Sequence, residues 1–77
     1  MTLLERMRRN PRADWTIKNV ETVCKQNGVQ CIPGKGSHYN VRHPTSRELL
    51  TIPAARPIKP VYIRLLVKLI SDAPREV

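Results

Sequence analysis

The segment Gly34-Lys35-Gly36-Ser37-His38 combines residue types that can perform acid–base chemistry on a phosphate ester. Histidine has an ordinary pKa of about 6.5, so an exposed imidazole can accept a proton near neutral pH. The glycines would let the backbone approach a bound phosphate closely. Gly-Lys-Gly is equally compatible with an ordinary hairpin turn that is followed by a surface histidine. The segment alone therefore leaves a reactive site and a structural turn both open.

Three short strands are predicted around this segment, at residues 29–33, 37–43 and 48–52. The two connections, residues 34–36 and 44–47, are rich in Gly, Pro and Ser and are short, which favours an antiparallel meander. Pro53 is expected to stop the third strand.

Along the predicted middle strand, successive side chains should point to opposite faces of the sheet. Tyr39 and Val41 fall on one face, while His38, Asn40 and Arg42 fall on the other. Because the apolar pair must face the core, the three polar residues are expected to share an open face, where they could bind or react.

Helices are predicted before and after the strands. Residues 1–12 should form a basic N-terminal helix or arm, since Leu3, Leu4 and Met7 recur at helical spacing among arginines. A second helix is expected at 17–27, with Asp14 or Thr16 as its N-cap and Gly28 directly after its end. Trp15 is expected to pack where this helix begins.

The last helix is predicted at 60–72, opened by Pro60, with Ile63, Leu66, Val67 and Ile70 on its apolar side. Arg64 and Lys68, four residues apart, would form a basic stripe or simply a solvated face. Residues 73–77 are expected to be a loose tail.

Composition limits the possible functions. A chain of 77 residues can form one small domain that buries only about 60% of its unfolded surface, which leaves little room for a deep metabolite pocket. The net charge of +8 favours a polyanionic partner, with nucleic acid the leading candidate. An anionic membrane or an acidic protein would also suit this charge.

The two cysteines, Cys24 and Cys31, do not have the spacing of a zinc site and are predicted to be small buried hydrophobes, with a disulfide between them as an alternative. No apolar run has the length of a transmembrane helix or a secretory signal, so a cytoplasmic protein with reduced thiols is expected.

The predicted order of elements is α-α-β-β-β-α, with a three-stranded antiparallel sheet and helices packed on one face. This is an α+β layout like that of the double-stranded-RNA-binding domain. Over residues 16–72 the sequence also resembles the HicA-type (YcfA-like) messenger-RNA interferase toxins. The matching features are Asn27-Gly28-Val29 at the end of a helix, Gly36-Ser37-His38, Leu50-Thr51-Ile52-Pro53 and the final helix with Ile63.

This resemblance implies a ribonuclease centred on His38 and neutralised by a HicB-type antitoxin. Two features depart from the family pattern: Ala55 stands where many members carry a second histidine, and Lys59-Pro60 stands where glycine is common. Residues 1–11 lie outside the short form of the family.

The expected reaction needs no metal or other cofactor, since no cluster of acidic residues or cysteines suggests a metal site. His38 would act as the general base on the RNA 2′-hydroxyl, and nearby cations would stabilise the phosphorane. His43 is predicted on the opposite strand face, which leaves a water molecule as the general acid. The residues expected to bind RNA are Lys35, Gly36, Ser37, Asn40, Arg42, Arg64 and Lys68.

Two other classes of function remain open from the sequence. One is a non-catalytic nucleic-acid-binding module, although its few aromatic residues argue against extensive base stacking. The other is a protein-interaction domain whose basic surface binds an acidic partner. The antitoxin, in the toxin hypothesis, is expected to cover the face that carries His38.

Overall fold

The computed structural model describes residues 2–72, without the side chain of Asp72. The predicted tail at 73–77 lies outside these residues. The elements follow the order α1 (Leu3–Arg9), α2 (Ile17–Gln26), β1 (Gln30–Pro33), β2 (His38–Arg42), β3 (Leu49–Pro53) and α3 (Pro60–Asp72). The α+β class and the predicted element order are therefore confirmed, and Pro53 is the last residue of β3 rather than the residue after it.

The N-terminal segment is a helix rather than an arm. Thr2 caps α1 by accepting a hydrogen bond from the Glu5 backbone N–H to its Oγ1, at 3.2 Å. Met7 is completely buried, and α1 packs mainly against α3. Burial of Met7, together with the packing of Leu3 and Leu4 against the core, stabilises the helix on the rest of the domain.

Thr16, and not Asp14, caps α2. The Thr16 hydroxyl accepts the Asn19 backbone N–H, and the Asn19 side chain accepts the Thr16 backbone N–H at 2.8 Å, which forms a reciprocal capping box. Asp14 instead forms an exposed ion pair with Arg56, at 3.0 Å. After the C-cap residue Asn27, Gly28 has φ +67, as predicted for a residue that ends a helix.

The three strands form an antiparallel meander with the order β1-β2-β3. On the core face, Val41 stands between Cys31 and Leu50, and Tyr39 stands between Pro33 and Ile52. The opposite face, which we call the open face, carries Gln30, Ile32, His38, Asn40, Arg42, Leu49, Thr51 and Pro53. The predicted alternation along β2 is therefore confirmed.

A buried contact in the connection to α3 was not predicted. Ile58 is 1% exposed, and its backbone N–H donates to the Trp15 carbonyl oxygen at 2.8 Å. Trp15 is itself buried, and its Nε1–H donates to the Asn10 carbonyl oxygen at 2.8 Å. These bonds connect the segment before α3 to the segment between α1 and α2. None of the described helices is long and apolar enough to cross a membrane.

Candidate active site

His38 is the first residue of β2, and its exposed ring lies at the end of the open face beside the β1–β2 turn. Its Nδ1 atom is 3.3 Å from the carbonyl oxygen of Lys35. A carbonyl oxygen can only accept a hydrogen bond, so this contact favours the tautomer with hydrogen on Nδ1. In that tautomer of the neutral ring, the free electron pair is on Nε2.

The turn itself is closed by backbone hydrogen bonds. The His38 N–H donates to the Lys35 carbonyl oxygen at 3.2 Å, and the Gly34 N–H donates to the His38 carbonyl oxygen at 2.8 Å. Gly36 has φ +59, a conformation that costs other residues about 1–2 kcal/mol. A Cβ atom at Gly36 would meet nothing within 4 Å, so the space above this residue is open to a ligand.

A third backbone hydrogen bond connects the turn to the residue that follows β3. The Ala54 N–H donates to the Ser37 carbonyl oxygen at 2.7 Å, just beyond the pairing of His38 with Pro53. Ser37 and Gly36 are exposed, as expected for residues that contact a large ligand. The position of His38 is thus determined by both neighbouring strands.

Asn40 lies next to His38 on the open face, and its side-chain orientation is fixed. Its Oδ1 accepts the Thr51 hydroxyl at 3.1 Å, and its Nδ2 lies 3.1 Å from the Cβ position of Gly34. Within the described residues Nδ2 forms no hydrogen bond, so the amide group can donate to a ligand. Thr51 was not among the predicted site residues; the cross-strand register, which places it opposite Asn40, is the signal that could have identified it.

Two of the predicted cations lie at opposite ends of the open face. Lys35 belongs to the turn beside His38, whereas Arg42 is the last residue of β2. Four residues along a strand correspond to about 13 Å, so one phosphate group cannot contact both His38 and Arg42. Lys35 is the better placed of the two to stabilise charge on a reacting phosphate.

Arg64 and Lys68 do not join this group. They are exposed on α3, in the helical layer on the other side of the sheet. The predicted RNA-binding residues therefore form two sets, one on the open face and one on the helices.

His43 follows β2 directly and lies far from His38. Its Nδ1 accepts the Thr45 backbone N–H at 3.1 Å, and the Thr45 hydroxyl lies 2.9 Å from the same atom. Five residues of strand separate the two histidines, which corresponds to about 16 Å. This arrangement agrees with the expectation that His43 does not act on the same bond as His38.

Both cysteines are free thiols. Burial, followed by the neighbouring Cys31, raises the pKa of Cys24 to about 12. Burial and Glu21 also raise the pKa of Cys31, which is only half-buried and so departs from the prediction that both cysteines are buried. Neither thiol has the lowered pKa of a nucleophilic cysteine. Within residues 2–72, no three His, Cys, Asp or Glu side chains are grouped as metal ligands.

Comparisons with family models, characterised proteins and solved structures gave no match to this chain. The functional interpretation therefore depends on the residues and the geometry of the open face.

Proposed function

We propose that the protein is an endoribonuclease of the HicA toxin type that cleaves single-stranded RNA by metal-independent transesterification. The observation that carries the proposal is the exposed His38 side chain at the end of the open face, directly beside the basic turn and 3.3 Å from the Lys35 carbonyl oxygen through Nδ1. The α+β layer arrangement also supports the proposed similarity to the double-stranded-RNA-binding fold.

In the first step, Nε2 of His38 accepts the proton of an RNA 2′-hydroxyl while the 2′-oxygen attacks the adjacent phosphorus. Lys35 stabilises the negative charge of the phosphorane. The 5′-oxygen then leaves with a proton from water, and the products are a 2′,3′-cyclic phosphate and a 5′-hydroxyl. The Asn40 amide donates to the substrate and helps hold it in line.

A protein with this activity would damage its own cell, so an inhibitor is required. The net charge of +8 favours an acidic contact surface on that inhibitor. We propose a HicB-type antitoxin that covers the open face around His38, Asn40 and Arg42. Such a partner would block the general base and the substrate path together.

A non-catalytic RNA-binding domain is the alternative function. It is favoured by one observation: among the described residues of the open face, none besides His38 has a side chain of a type that serves as a general acid. In that case His38 would only donate hydrogen bonds or stack on a base.

The test uses purified protein and a 5′-labelled single-stranded RNA in the presence of EDTA. Cleavage by the wild type, with products that end in a cyclic phosphate or a 3′-phosphate, is expected. Products with 3′-hydroxyl ends, or cleavage only after addition of magnesium, would contradict the mechanism. RNA binding without cleavage would favour the alternative.

A further inference from the structure

A basic groove of about 330 Å³ lies between α1 and α3, in the helical layer and away from His38. Two apolar side chains, Met7 and Val67, are buried and form its floor. The groove, which we call the α1–α3 groove, is lined in full by Met7, Arg8, Arg64, Val67, Lys68 and Ser71. Three cations from two helices are thus brought to one concave surface.

These cations have no carboxylate partner within the described part of the chain, where Asp14 with Arg56 is the one ion pair. The Arg8 guanidinium donates to the Ser71 hydroxyl, which orients it along the groove. Arg64 and Lys68 are one turn apart on α3 and are both exposed. Guanidinium and ammonium groups that form no ion pair with another described side chain, beside a hydroxyl, match the charge and hydrogen-bonding of phosphate oxygens.

Lys68 also connects this groove with the open face. It borders a second depression along β3, which is otherwise lined by Glu48, Leu49, Leu50, Leu65 and Leu69. Leu49 stands directly opposite Arg42 in the strand register and is 61% exposed. β3 is an edge strand, so no other strand of the described chain lies alongside it to block a path from Lys68 to Arg42. Lys68 and Arg42 thus flank the β3 edge from the helical layer and from the open face, with Leu49 between them and Glu48 beside it.

We infer that the α1–α3 groove is a second phosphate-binding site for the same RNA. A strand bound at His38 continues past Arg42 and around the edge of β3, and its distal phosphates bind Arg8, Arg64 and Lys68. The inference depends on the proposed function for the identity of the ligand. It adds a role for α1, which supplies Arg8, and it predicts that affinity rises with RNA length within the range of roughly 4–16 nucleotides that small single-strand-binding domains cover.

The test measures RNA affinity by fluorescence anisotropy, with His38→Ala protein so that the RNA stays intact. The probes are single-stranded RNAs of roughly 4 and 16 nucleotides, the limits of that range. The double variant Arg8→Gln/Arg64→Gln is compared with Lys18→Gln/Lys25→Gln. The second pair removes the same charge from exposed positions on α2 and serves as the matched control.

Each phosphate contact with single-stranded RNA changes the slope of log K against log salt by about 0.7. Loss of two contacts should therefore reduce the slope for the long RNA by about 1.4 and its affinity by about 25-fold at roughly 0.1 M salt. The advantage of the long RNA over the short one should shrink by a similar factor. In the control variant that advantage should be unchanged.

Equal losses in the groove and control variants would overturn the inference, because the effect would then come from the overall charge. Equal losses for both RNA lengths would also overturn it. Neither result would contradict the proposed ribonuclease function, because cleavage by the wild-type protein and its dependence on His38 are measured separately. If loss of the Arg8 bond to Ser71 unfolds the first variant, Arg64→Gln/Lys68→Gln provides the same comparison from α3 alone. Thermal unfolding followed by circular dichroism identifies which variant is folded.

Discussion

The two histidines of the chain lie at opposite ends of the β2 region and have different surroundings. The His38 ring is exposed on the open face, and its Nδ1 lies 3.3 Å from the Lys35 carbonyl oxygen. Nδ1 of His43 accepts a backbone N–H and is half-buried beside the next turn. The comparison shows that the same residue type on one strand becomes a candidate base or a structural ligand according to the backbone groups around it.

The largest expected effect is the loss of cleavage in His38→Ala. We expect activity to fall at least about 100-fold, the lower range for a lost general base, with stability changed by less than about 0.5 kcal/mol because the ring is exposed. The measurements are initial cleavage rates and thermal unfolding. His43→Ala is the matched control and should retain cleavage. A folded His38→Ala protein with wild-type activity would remove His38 from the mechanism.

Chemical modification should distinguish the same two rings in the unmodified protein. Diethyl pyrocarbonate should acylate His38 faster than His43, since His38 is exposed whereas His43 is half-buried and its Nδ1 accepts the Thr45 backbone N–H. Cleavage should be lost in parallel with modification of His38, as followed by peptide mass spectrometry. In a complex with the inhibitor, His38 should be protected. If His38 stays equally reactive in the inhibited complex, the partner does not cover the open face.

The turn that holds His38 can be tested with two glycines of similar conformation. Gly36→Ala and Gly28→Ala each place a Cβ at positive φ with no neighbour within 4 Å, so both should lose about 1–2 kcal/mol of stability. Only Gly36→Ala should reduce cleavage, by at least about tenfold, because a displacement of about 1 Å can cost up to about 100-fold. The measurements are denaturant unfolding and cleavage rates. Equal activities in the two variants would show that the turn does not position the base.

The smallest effect is expected for Thr51→Val, which keeps the side-chain shape and removes the hydroxyl that binds Asn40. Loss of one exposed hydrogen bond, about 0.5–1.5 kcal/mol, should weaken RNA binding roughly two- to tenfold. Thr22→Val is the control, since the Thr22 hydroxyl binds the Lys18 carbonyl oxygen on α2. Unchanged affinity in Thr51→Val would indicate that the orientation of Asn40 does not matter for RNA.

Local signals in the sequence were sufficient to predict the elements and the sharing of one sheet face by His38, Asn40 and Arg42. The helices are predicted by the helical spacing of apolar residues, with Pro60 at the start of one helix and Gly28 after the end of another. The alternation of side chains along β2 predicts which of them share a face. These patterns involve only a few neighbouring residues, so they can be interpreted without knowing the tertiary contacts of the chain.

Contacts between residues distant in sequence could be determined only by the tertiary structure. Burial of Ile58 against Trp15, the bond from Thr51 to Asn40, and the meeting of Arg8 with Arg64 each join segments 11 or more residues apart. The tautomer of His38 also depends on where the Lys35 carbonyl points after the turn closes. The sequence determined which residues are available for chemistry. Packing of the helices on one sheet face decided which of these residues lie together, because the spatial neighbours of a side chain depend on contacts between distant segments.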